Sequence, residues 1–182
     1  MATAVARARQ TGMSLIEMMV AIAIFTILAL MALPMYSTWI ASQQVRTATE
    51  LVLDGLRIAQ GEAIKRNQQV RLVIDPAEGW TVELVADDSV LRQAIFREGS
   101  PKVELTVTPV GTTTVMFDGL GRVLDKDAAA LDERITIDVD STSGFTGVRK
   151  LRVVIDTAAA TGVGIRSCDP KLDATDPRGC PA

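Results

Sequence analysis

The chain has 182 residues and a net charge of −3, from 19 basic and 22 acidic side chains, and it contains no histidine. The length suits one globular domain plus an anchor, and the charge balance fits neither a strongly basic nucleic-acid binder nor an acidic disordered tail. Without histidine there is no Ser-His-Asp or Cys-His nucleophilic site, no His-ligated zinc and no imidazole general base, and the sequence has no GxSxG, Walker A or GxGxxG pattern. No catalytic residue, metal or cofactor is therefore expected.

Residues 1–12 form a short leader with Arg7 and Arg9 and no acidic side chain. An apolar run follows, and the next basic residue after Arg9 is Arg46. Positive charge ahead of an apolar run keeps that end cytoplasmic, so the remainder should cross the membrane. The segment 13–35 spans about 34 Å as a helix, enough for a hydrocarbon core of ~30 Å. A secretory signal would have a shorter apolar region and a small-residue cleavage site. On hydropathy alone the segment is an uncleaved signal anchor.

Glu17 stands inside this run. An acidic side chain deep in a transmembrane helix costs roughly 2.5–3.5 kcal/mol on insertion scales, so it needs a partner or must reach the interface by snorkelling. Pro34, which has no amide donor, should kink or loosen the helix. From 36 to 67 the helix continues in amphipathic form. Val45, Ala48, Val52, Leu56, Ala59 and Ala63 recur at spacings of three and four, and Leu51, Gly55 and Ile58 widen the stripe. The helix should end near Lys65–Asn67, where basic residues suit its dipole.

Residues 68–182 read as a β-rich head. Seven short, mostly alternating segments (QVRLVID, WTVELVA, SVLRQAIF, KVELTVTPV, TTTVMFDG, RITIDVD and KLRVVID) are separated by turn residues. Their order predicts antiparallel sheets packed on the second half of the helix, an α+β fold. Phe117 reads as core and Gly119 as a turn residue. Cys168 and Cys180 close the chain. They could be free thiols in the cytosol, but behind a membrane-insertion segment a disulfide in an oxidising compartment is the better reading. Asp169, Asp173 and Asp176 lie between the cysteines, without the spacing of an EF-hand.

The stretch Gly12-Met13-Ser14-Leu15-Ile16-Glu17 after a basic leader resembles the prepilin signal of type IV pilins and type II secretion pseudopilins. The resemblance implies cleavage after Gly12 by a prepilin peptidase and N-methylation of Met13 by the same enzyme. Glu17 falls where the family carries its glutamate, and Pro34 where many pilins carry a kinking proline; phenylalanine is the usual residue in place of Met13. In a helical stack of subunits Glu17 can approach the Met13 amine of a neighbour, a charge pair that fixes register where apolar packing alone would slide. Thr112–Val123, with its Phe117-x-Gly119 element, and Thr161–Cys180 resemble the H-type minor pseudopilins and the FimT/FimU minor pilins, which carry a β-sandwich-like head on a pilin helix.

The resemblance implies a non-enzymatic minor pilin that helps to initiate or cap a type IV pilus. Its partners would be other major and minor pilins, the prepilin peptidase and an inner-membrane assembly platform. It would start as a single-pass inner-membrane protein with a periplasmic head and end in a pilus or pseudopilus. Two alternatives stand beside this: an H-type pseudopilin of type II secretion, and a pilus-borne DNA receptor. FimT-like DNA binding uses a Gly-Arg-x-Arg tail motif; here Val163-Gly164-Ile165-Arg166 keeps only the last arginine. Arg149, Lys150, Arg152 and Arg178 could extend a patch around Arg166, although alternate strand residues face opposite sides. Arg166 could equally pair with a nearby aspartate. Without Arg7 and Arg9 the chain keeps 17 basic and 22 acidic residues, a net −5 that opposes generic attraction to DNA.

Overall fold

The computed structural model describes residues 13–124, 134–157 and 164–181. One α-helix, α1, runs over Leu15–Arg66 and is followed by nine β-strands. The chain divides into two parts, Met1–Ser37 and Thr38–Ala182.

In the first part, Met13–Ser37 contains no buried residue. The helix starts conventionally, with the Ser14 carbonyl accepting the amides of Glu17 (3.1 Å) and Met18 (3.2 Å). Glu17 lies in the first turn, where a negative charge suits the helix dipole. Thr26 bonds its hydroxyl to the carbonyl of Ile22 (2.8 Å) and Ser37 bonds to that of Pro34 (2.9 Å), so neither hydroxyl needs an outside partner. The helix assignment passes through Pro34 without a break. Pro34 has no amide hydrogen to donate to the Leu30 carbonyl.

In the second part, the predicted stripe is the buried one. Val45, Ala48, Val52, Leu56, Ala59 and Ala63 are all essentially inaccessible, and Gly55 is buried beside them. The helix closes on Asn67, whose φ of 51° is left-handed; Gln68 N bonds to Ala63 O (3.2 Å) and Asn67 N to Ile64 O (3.3 Å). This is the paired-bond geometry of a Schellman stop, with Asn in the place usually held by Gly.

The strands are β1 (Val70–Asp75), β2 (Gly79–Leu84), β3 (Val90–Ile95), β4 (Val103–Thr108), β5 (Thr114–Phe117), β6 (Val123–Leu124), β7 (Ile135–Ser141), β8 (Leu151–Asp156) and β9 (Gly164–Cys168). They form two sheets, ordered β3-β2-β1-β5-β6 and β4-β7-β8-β9, and every pairing is antiparallel. Seven of these strands match the sequence-predicted segments. The segment SVLRQAIF stops as a strand at Ile95, and Phe96 turns into a short 3-10 helix. The further two, β6 and β9, depart from the expected seven. A two-residue strand is too short to show a period. β9 holds glycine, arginine and serine around one isoleucine and pairs through its backbone.

Apolar side chains from α1 and both sheets meet in one core, with Phe117, Leu72, Ile74, Ile137 and Ile155 among its fully buried members. Among the described residues, three long-range side-chain hydrogen bonds fasten α1 to the head: Trp80 Nε1 to the Leu51 carbonyl (2.9 Å), Ser100 Oγ to the Gln44 carbonyl (2.7 Å) and Gln60 Nε2 to the Gly121 carbonyl (3.0 Å). Gly119 is placed by contact as well as by its turn. A Cβ there would lie 2.4 Å from Asn67 Oδ1 and 3.0 Å from the Asn67 backbone, so the turn after β5 closes directly onto the end of α1.

Candidate assembly helix and head surface

Two regions carry the sequence-predicted sites. The first is the N-terminal segment of α1. Its large apolar side chains are exposed throughout, from Met13, Leu15 and Ile16 to Met35 and Tyr36. An 18-residue window has a mean hydropathy of 2.5, which makes the helix long and apolar enough to cross a membrane. Gly12 lies outside the described residues, as does the leader. Met13 is exposed, and Glu17 is exposed one turn into the run. Among the described residues no side chain of the same chain pairs with the Glu17 carboxylate.

The second region is the C-terminal loop. Cys168 and Cys180 form a disulfide. Inside the loop, Asp169 is a buried carboxylate, only 5% exposed. Its backbone amide donates to the Arg178 carbonyl (2.7 Å), Oδ1 accepts the Lys171 amide (2.9 Å), and Oδ2 accepts Arg149 Nε (2.5 Å). Burial alone would raise the Asp169 pKa; the Lys171 amide and the Arg149 guanidinium outweigh it and hold the carboxyl below its ordinary value. Asp176 in turn accepts the amide of Arg178 (2.8 Å) and pairs with its guanidinium, contacts that lower its pKa. Asp169 and Asp176 are thus turn-forming residues. No group of three or more His, Cys, Asp or Glu side chains able to hold a metal occurs among the described residues.

The candidate basic patch is not assembled. Arg166 stands on β9 in register with Val154 and is exposed, and its side chain has no hydrogen-bonding or ionic partner among the described residues. The pairing with a nearby aspartate considered for it is not formed with any described aspartate. The other cations are engaged: Arg152 with Asp138 (2.6 Å), Lys150 with Asp140, Arg149 with Asp169 and Arg178 with Asp176. Arg149 and Arg178 share a groove that Arg166 does not line. The sequence reading also passed over Arg46 and Glu50 as surface-site residues: both lie on the polar face of α1 and line that same groove. Only the three-dimensional pairing of α1 with the C-terminal loop brings them to Arg149 and Arg178.

Comparison with known proteins agrees with this architecture. Residues 48–159 match the family model described as type II transport protein GspH, and residues 7–33 match the prokaryotic N-terminal methylation motif. The type IV minor pilin FimU of Pseudomonas aeruginosa has a similar structure, with a TM-score of 0.51 and 14% identity over 68% of this chain and 89% of that one. The minor pseudopilin EpsH of the Vibrio cholerae type 2 secretion system gives a TM-score of 0.49 and 17% identity over 71% of this chain and 99% of that one. No significant match was found among curated proteins. With more than half its length matched by the GspH model and a methylation motif at its N-terminus, the chain belongs to the GspH family of minor pilins and pseudopilins.

Proposed function

We propose that the chain is a minor pilin, incorporated into a type IV pilus and helping to initiate or cap it, with no catalytic role. The observation that carries this reading is the N-terminal segment: an exposed apolar helix interrupted by one carboxylate that has no partner within the described chain. Such a surface is stable only in lipid or against other apolar helices. Residues 1–12 are removed by cleavage after Gly12, and Met13 is methylated. Residues 13–35 hold the chain in the inner membrane, N-terminus inward, until an assembly platform passes it to the filament. There Glu17 pairs with the Met13 amine of a neighbouring pilin, and Pro34 gives the helix local compliance.

The GspH match supports a second reading, an H-type pseudopilin of type II secretion, for which the N-terminal argument is identical. A deletion strain separates the two. Loss of surface pili with secretion intact is the expected outcome; loss of secreted proteins with pili intact would replace the pilus reading with the secretion one. The DNA-receptor reading has less support, because four of its five candidate cations are already neutralised by carboxylates.

A further inference from the structure

The chain has two tryptophans, and their surroundings are opposite. Trp80 is 6% exposed, lies against Gly55 of α1 and gives its indole N–H to the Leu51 carbonyl. Trp39 is 57% exposed, although Ala41 and Val45 on the same helix are buried. Ile40 beside it is exposed as well. An indole carries a large apolar surface and one polar N–H, so it is most stable where one side is apolar and the other wet. Water on all sides does not supply that.

The spacing along α1 points to where the apolar side lies. Trp39 comes one helical turn after Met35, the end of the apolar run. At the helical rise that is about 6 Å beyond the run. The polar layer on each side of a ~30 Å hydrocarbon core is about 5–7 Å thick. A span that fills the core with residues 13–35 therefore sets Trp39 within the headgroup layer. Arg46, the first charged residue after Glu17, falls about 16 Å beyond the run and clear of that layer. Every polar side chain between Met35 and Arg46 is uncharged, as suits a segment passing from lipid to water. Tryptophan is the residue enriched at that level of a bilayer. We propose that Trp39, with Ile40 beside it, seats in the headgroup layer of the membrane and fixes the depth of the span at the end nearer the head. The proposal rests on the membrane-held stage of the function above and adds to it the residue that sets the helix's depth there.

Fluorescence of the full chain reconstituted in phosphatidylcholine vesicles tests it, with the Trp39 signal taken as wild type minus Trp39→Phe. The vesicles carry lipid brominated either just below the headgroup or deep in the acyl chain. The shallow bromine should quench the Trp39 signal at least about twofold more than the deep one, as an indole at headgroup level requires. The Trp80 signal, read in Trp39→Phe, should be unchanged by either lipid, showing the head folded around it. A Trp39 signal open to aqueous acrylamide and untouched by bromine would leave the indole in water and overturn the proposal. A signal shielded from both quenchers would give it a protein cover instead, such as a neighbouring subunit, and overturn it too. Stronger quenching by the deep bromine, or equal quenching of Trp80, would likewise overturn it. In each of these outcomes the chain still floats with the vesicles, and the Trp39 assignment falls alone. If the chain does not float with them, the membrane-held stage falls and the proposal falls with it.

Discussion

Gly55 sits where the indole of Trp80 crosses α1. A Cβ there would lie 2.8 Å from Trp80 Cε2 and 2.9 Å from Cδ2, and the ring is also held by its bond to the Leu51 carbonyl. Gly55→Ala therefore overpacks a rigid contact and should cost about 1–3 kcal/mol, read as a lower urea midpoint of the head from Thr38 onward. An unchanged midpoint would mean that the ring yields freely. The sequence shows Gly55 on the apolar face of the helix, but the ring that excludes a side chain comes from a strand far along the chain. The same applies to Asp169. Its place between Cys168 and Pro170 suggests a turn, whereas its burial against Arg149 depends on β8 and β9 pairing. Asp169 is held below the ordinary carboxyl value of 3.8, so its contribution to stability is complete above that value and is lost as pH falls through the lowered folded one. Asp169→Asn should lower Tm at neutral pH and flatten the fall of Tm in acid. Parallel pH profiles for variant and wild type would contradict this.

Among the elements, β9 depends most on the chain that follows it. It lies at the edge of its sheet, contributes little apolar surface and leads directly into the disulfide loop. With the cysteines 12 positions apart in sequence, the cross-link should contribute roughly 3 kcal/mol by restricting the unfolded chain. The double variant Cys168→Ser, Cys180→Ser should lose about that much in urea unfolding, with amide exchange in β9 accelerating before that in β7. Equal protection of the two strands would show that β9 is held by its ladder alone. The helix was legible because its apolar spacing is regular over five turns and ends in basic residues followed by Asn67. Strands β1, β2 and β7 were legible from alternation, with one face buried. β9 was not, since nothing in Gly-Ile-Arg-Ser-Cys favours a strand until β8 offers it an edge. The partition of strands into two sheets was hidden as well. β1 pairs with β5 and β4 with β7, and both pairings skip over intervening chain that local patterning does not see.

At the scale of the molecule, a folded head with one shared core is joined to a helix segment that buries nothing. The head explains its own stability. The N-terminal segment gains its stability only from lipid or from other subunits, and in the proposed filament Glu17 is the residue on which membership turns. Glu17→Leu keeps the segment apolar, so membrane insertion should be retained while the charge proposed to set register is removed. The deciding measurement is the amount of full-length chain in sheared filaments relative to the membrane fraction, for wild type and Glu17→Leu, expressed with the companion pilins. The account predicts unchanged membrane accumulation and a fall of about tenfold or more in filaments, the ratio given by losing ~1.4 kcal/mol of pairing free energy. Equal incorporation of the two proteins would contradict it and leave Glu17 as a carboxylate that merely reaches the membrane surface.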